Sequence, residues 1–195
     1  MQILRESEDL QSQADAILKE SKVLDIFSSS GKVHLAGSYR LRLLVRPDID
    51  IIVTAEGPSR EKAVAATKQL LDDGYFQSVV FIDHLSWQER LDAKMDAHGF
   101  YWHLDLPKYG KQWKCDVWYL CPKEDLFVPQ TERFEALLDQ YPEARKSILR
   151  LKNELREGKG YRGKATGTRI TSAVLEHGIV DSKGLETFLD GNTGI

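Results

Sequence analysis

The chain is decided by Val33-His34-Leu35-Ala36-Gly37-Ser38, then Tyr39 to Pro47, then Asp48-Ile49-Asp50-Ile51-Ile52-Val53-Thr54. In an extended strand, residues two apart point to one side at about 7 Å spacing. Asp48 and Asp50 therefore present two carboxylates together, while Ile49, Ile51 and Val53 anchor the opposite side. The run Ile51-Ile52-Val53 is apolar in both phases, which predicts a strand covered on both faces. Two like charges at the mouth of such a strand are costly unless cations or hydrogen-bond donors meet them. A divalent metal meets that need, and a nearby Gly-Ser turn offers N–H and hydroxyl groups to phosphate oxygens.

The pair Ala36-Gly37-Ser38 and Asp48-Ile49-Asp50-Ile51 resembles the signature of the nucleotidyltransferase superfamily of the DNA polymerase β type. That signature is an apolar residue, Gly-Ser or Gly-Gly, a spacer of roughly ten residues, then Asp-x-Asp or Asp-x-Glu among apolar residues. The resemblance covers roughly residues 30 to 120. It implies a third carboxylate on a later strand, for which Asp116 in Trp113-Lys114-Cys115-Asp116-Val117-Trp118 is the candidate and Asp105, on a partner strand, the alternative. Where the common bacterial form has a small residue and Gly after the turn, this chain has Tyr39-Arg40-Leu41-Arg42.

By the same resemblance, Asp48 and Asp50 would hold two Mg2+ ions, with Gly37 and Ser38 on the β- and γ-phosphates of a nucleoside triphosphate. Asp116 would bind the metal that activates an acceptor hydroxyl, or take its proton. Three aspartates without a His or Cys cluster suit Mg2+ better than zinc. Arg42, with Arg40 and Arg46 near the turn, is a candidate phosphate contact. The implied reaction is transfer of a nucleoside monophosphate to a hydroxyl of a small molecule or protein side chain. Two other readings fit: a nucleotide- or partner-binding protein of the same fold, like one component of a toxin–antitoxin pair, and an enzyme acting on RNA ends.

At 195 residues and 42% hydrophobic content the chain can fill a proper core. Its net charge of −3 hides an uneven distribution. Residues 145–169 hold nine Lys or Arg against Glu154 and Glu157, a local net of +7, so the remainder carries −10. Within that stretch Lys152 and Lys164 are candidate nucleotide contacts, with Arg156 and Arg169 beside them. A basic segment facing a carboxylate cluster complements a metal-triphosphate at both ends. The acidic remainder repels a long phosphate backbone and argues against long nucleic acid as partner. No run approaches a membrane span, the N-terminus lacks a signal-peptide centre, and Cys115 and Cys121 on one extended strand would be about 20 Å apart, beyond disulfide reach. A cytoplasmic protein is expected. Nothing in the chain sets an oligomeric state.

The pattern predicts an α+β fold: a mixed sheet with flanking helices in residues 1–125, then a small helical region in 126–195. One helix is expected over residues 7–27 and strands over 33–36, 48–54 and 76–83. Ser59 is expected to cap a helix reaching Gly74, and Ser86-Trp87-Gln88-Glu89 has capping-box spacing for a short helix to about His98. Phe100 to Leu106 and Trp113 to Leu120 read as a hairpin carrying Asp116. Helices follow over 131–140, 142–157, 165–177 and 182–189, with the boundary between the two parts near Pro122 to Pro129. The five histidines have no metal-ligand spacing, and the four tryptophans read as sheet-face or core packing.

Overall fold

A computed structural model describes residues 2–87, 99–157 and 166–191. Five strands form one mixed sheet in the order β1-β2-β5-β4-β3, with β1 Lys32–Ala36, β2 Asp48–Thr54, β3 Ser78–Asp83, β4 Gly99–Lys108 and β5 Lys111–Leu120. β2 and β5 run parallel, and the other neighbouring pairs run antiparallel.

Strand alternation sorts this sheet into two unlike faces. Ile49, Ile51 and Val53 of β2, Trp113, Cys115, Val117 and Tyr119 of β5, and Phe100, Trp102, Leu104 and Leu106 of β4 enter one core. That core is closed by α1 (Gln2–Ser21), α2 (Val23–Ser28) and α4 (Arg60–Asp73). The opposite face carries Asp48, Asp50, Lys114 and Asp116.

The single helix expected over 7–27 is two. Lys22 adopts a left-handed φ of 52°, and the buried Ser21 Oγ accepts a hydrogen bond from Val23 N at 3.4 Å. The hydroxyl competes with the helical ladder, and the break lets Val23, Ile26 and Phe27 bury beside Ala14 and Ile17. α4 follows expectation: Ser59 Oγ accepts from Lys62 N, and Gly74 ends the helix at φ 64°. The third strand starts at Ser78 rather than 76, with Phe76 buried in the core before it. α5 covers His84–Trp87, and the rest of the helix expected there lies outside the described residues. The hairpin strands are longer than expected because Tyr109 and Gly110, at φ 54° and 68°, turn the chain in two residues.

α6 (Phe127–Gln140) begins four residues earlier than its apolar spacing suggested, because Asp125 Oδ1 accepts from Phe127 N and Val128 N at 2.9 and 3.1 Å. With α7 (Ala144–Glu157), α8 (Gly167–His177) and α9 (Ser182–Gly191) it builds a second core. Leu41 and Leu43, which follow the one-turn helix α3 (Gly37–Arg40), insert into that core. The insertion draws α7 and α8 against the Gly-Ser turn.

Candidate active site

The mixed sheet places the three aspartates together. Asp50 and Asp116 are register partners across the parallel pair β2–β5, and Asp48 lies one row away opposite Lys114. One carboxylate oxygen from each of Asp48, Asp50 and Asp116 lies within 4.8 Å of the others. Asp105 falls in the row of Lys114, not that of Asp116.

Cations and donors surround this cluster. Arg46 Nε donates to Asp48 Oδ2 at 2.9 Å. Lys114 Nζ donates to Asp116 Oδ2 at 2.7 Å and sits 3.0 Å from Asp48 Oδ1. Tyr101 Oη donates to Asp116 Oδ1 at 2.7 Å, and His103 Nδ1 lies at the same distance from that oxygen. His103 Nε2 is 3.2 Å from Asp105 Oδ1. Burial alone would raise Asp116, but hydrogen bonds from Lys114, His103 and Tyr101 outweigh it and hold the carboxyl below its usual pKa. For Asp50, burial first and the charge of Asp48 second outweigh the pull of Lys114 and push it up to about 7. A carboxylate kept from ionising by its surroundings is one whose charge awaits a partner.

The Gly-Ser turn lies against this cluster. Gly37 takes φ 59°, and a Cβ built there would come within 2.3 Å of Asp50 Oδ2. Its N–H donates to Thr131 Oγ1 of α6 at 3.2 Å. Lys152 of α7, 2% exposed, donates from Nζ to Ser38 Oγ at 2.9 Å and to the Leu43 carbonyl at 3.3 Å. Burial lowers its pKa to about 8 against the pull of Asp50. The start of α8 completes this corner: Thr166 Oγ1 accepts from Arg169 N, and Gly167 packs on Lys152 and Ser38. A helix N-terminus beside a buried ammonium and a serine hydroxyl favours an anion. Gly37, Ser38, Asp48, Asp50, Lys114, Lys152 and Gly167 line one cavity of about 220 Å3, which Ile52, Trp118, Phe127 and Gln130 also wall.

The residues suit a hard divalent cation. The donor set is entirely carboxylate oxygen, Asp48 Oδ1 is buried with no aligned hydrogen bond, and Gly37 leaves open the space next to Asp50 that a side chain would fill.

Of the residues expected to bind nucleotide, Gly37, Ser38 and Lys152 line this cavity. Arg42 does not: it lines a separate cavity with Leu4, Gln11 and Arg145. Arg40 pairs with Glu135 at 2.7 Å, and Arg169 reaches the Leu189 carbonyl at 3.4 Å. Lys164 and the Arg156 side chain lie outside what is described. Tyr101, His103, Lys114 and the N-terminus of α8 were not singled out as site groups from the sequence. The shared parity of Tyr101, His103 and Asp105 along one strand was the available signal for the first two.

No family model matches this sequence, and no curated protein sequence does. Solved structures do. Cid1, an RNA terminal uridylyl transferase, matches with a TM-score of 0.64 and 15% identity over 87% of this chain and 49% of its own. A Cid1 poly(U) polymerase solved with Mg and 3′-dATP bound matches at 0.59 and 13%, over 87% and 49%. The polymerase core of TRAMP, an RNA surveillance complex, matches at 0.53 and 18%, over 93% and 56%. The chain spans about half the length of the structures it matches. The chain therefore shares the fold of these terminal transferase and polymerase structures. No described helix is long and apolar enough to cross a membrane.

Proposed function

We propose that this protein is a Mg2+-dependent nucleotidyltransferase that moves a nucleoside monophosphate from a nucleoside triphosphate to a hydroxyl acceptor. The acceptor oxygen bonds the α-phosphorus, the bond to the leaving pyrophosphate breaks, and the hydroxyl proton departs toward Asp116. The observation that carries this reading is the convergence of Asp48, Asp50 and Asp116 within 4.8 Å beside a Gly-Ser turn. Ser38, Lys152 and the α8 N-terminus form the polyphosphate end, where a buried ammonium faces charge that grows as pyrophosphate leaves. Asp48, Asp50 and Asp116 are the residues that would hold Mg2+, which when bound supplies charge neutralisation and polarises the reacting oxygens. Tyr101 and His103 fix the rotamer of Asp116 through its Oδ1. Lys164 keeps its place as a secondary phosphate contact in this proposal, Arg42 does not, and residues 1–125 and 126–195 are its catalytic core and helical region. The free thiols Cys115 and Cys121 accord with a cytoplasmic setting.

The acceptor in this reading is a small hydroxyl compound or a protein side chain. A second reading, transfer to RNA ends, is favoured by the likeness to Cid1 and the TRAMP polymerase core. The test is a screen of the four labelled nucleoside triphosphates with Mg2+ against small hydroxyl compounds, cell extract and short RNA, reading pyrophosphate release. Release that depends on an acceptor and on Asp48 and Asp50 supports the proposal, and none with any acceptor opposes it. RNA binding at two salt concentrations separates the two acceptors, because phosphate-backbone contacts weaken steeply with salt.

A further inference from the structure

The most unusual feature of the acidic cluster is the lysine inside it. Lys114 stands on β5 opposite Asp48 of β2 and two residues before Asp116, so strand alternation sends it to the face of both. Its Nζ is 2.7 Å from Asp116 Oδ2 and 3.0 Å from Asp48 Oδ1. The outer oxygens of the two aspartates are held by other groups: Asp48 Oδ2 by Arg46, and Asp116 Oδ1 by Tyr101 and His103. The pair left for a ligand, Asp48 Oδ1 and Asp116 Oδ2, is the pair that Lys114 spans.

We infer that Lys114 is the resident counter-ion of the cluster, and that its displacement couples divalent-metal binding to triphosphate binding. A divalent cation taking those two oxygens needs the position the ammonium fills, and two cations at such separation repel. The metal must therefore move Lys114 aside and give up its attraction to two carboxylates. Lys114 can move: its side chain is 31% exposed, on a flexible stem. It lines the same cavity as Ser38 and Lys152. A triphosphate seated there offers the displaced ammonium new oxygens. Metal binds the bare protein weakly and the triphosphate-loaded protein tightly, and linkage makes the effect reciprocal. The triphosphate half rests on the nucleotidyltransferase reading; the displacement half rests on Lys114 and the aspartates alone.

The experiment uses the full chain and Mn2+ as probe, its free concentration followed by electron paramagnetic resonance without nucleotide. Lys114→Gln is expected to bind Mn2+ about tenfold more tightly than wild type, within the usual range for coupled sites, and Lys114→Arg no more tightly. A second readout needs no variant: acetylation of Lys114 in wild type, mapped by mass spectrometry. Mn2+ alone should speed it, and Mn2+ with a non-hydrolysable α,β-methylene nucleoside triphosphate should slow it again. Equal or weaker Mn2+ binding by folded Lys114→Gln, or acetylation indifferent to Mn2+, overturns the inference. If Mn2+ exposes Lys114 but no triphosphate analogue protects it, displacement stands and the coupling is overturned, while the nucleotidyltransferase reading is decided separately by pyrophosphate release.

Discussion

Gly37 and Asp50 are packed so tightly that one added carbon at Gly37 would approach Asp50 Oδ2 to 2.3 Å. The backbone there has φ 59°, a conformation L side chains adopt at a cost of about 1–2 kcal/mol. Gly37→Ala is therefore expected to destabilise the protein by about 1–3 kcal/mol in urea unfolding, from strain plus overpacking. Pyrophosphate release should fall about 100-fold or more, since displacing Asp50 by a fraction of an ångström misaligns the reacting groups. A folded variant of unchanged turnover would separate the turn from the chemistry.

Arg42 presents the opposite case. It also holds a left-handed backbone, at φ 56°, but its side chain is exposed and away from the cavity of the aspartates. Arg42→Gly removes the strain and adds back some freedom of the unfolded chain. A net gain of about 0.5–1 kcal/mol in unfolding free energy is expected, with nucleotide affinity nearly unchanged. A loss of affinity of tenfold or more would restore Arg42 as a phosphate contact.

Lys152 and Asp50 set a pH dependence with opposite signs. Lys152 is lowered from 10.5 to about 8, so from pH 8 to 10.5 the unfolded chain binds the extra proton and stability rises with pH. At 1.36 kcal/mol per pH unit the rise is about 3 kcal/mol. Asp50 is raised from 3.8 to about 7, so the native state binds the extra proton between those values and stability falls as pH climbs through them. The metal-free protein thus carries the combined penalty at pH 7–8. Unfolding of wild type against Lys152→Met should shift in favour of wild type from pH 8 to 10.5, and against Asp50→Asn should shift against wild type from pH 4 to 7. Parallel profiles would mean that neither group is held as described.

The parts of the site that lie close in sequence were legible. Asp48 and Asp50 were fixed by strand parity and by their distance from Gly37-Ser38. Sequence context favours Asp116 over Asp105, and in the β4–β5 register Asp116 stands opposite His103 while Asp105 stands opposite Lys114. The parity of His103 and Tyr101 along their strand is legible, but only cross-strand register puts them in a row or on a face with Asp116. The α8 N-terminus reached Ser38 through Leu41 and Leu43 inserting into the helical core, a non-local packing event that no local pattern announces. The break at Lys22 was hidden for a related reason: apolar spacing runs through it unbroken, while the buried Ser21 hydroxyl ends the ladder.

The central claim is that Asp48, Asp50 and Asp116 hold metal and triphosphate together. Its most direct test is the thermal midpoint of wild type and of the Asp48→Asn, Asp50→Asn double variant, each with and without Mg2+ plus each nucleoside triphosphate. Ligand at 100 times its dissociation constant contributes about 2.7 kcal/mol, which for a chain of this size is a rise of roughly 5–10 °C. Wild type should show that rise with at least one nucleoside triphosphate, and the double variant should show none while starting from an equal or higher midpoint, since it lacks two crowded charges. A wild-type midpoint indifferent to Mg2+ with every nucleoside triphosphate, and matching the double variant throughout, would contradict the account.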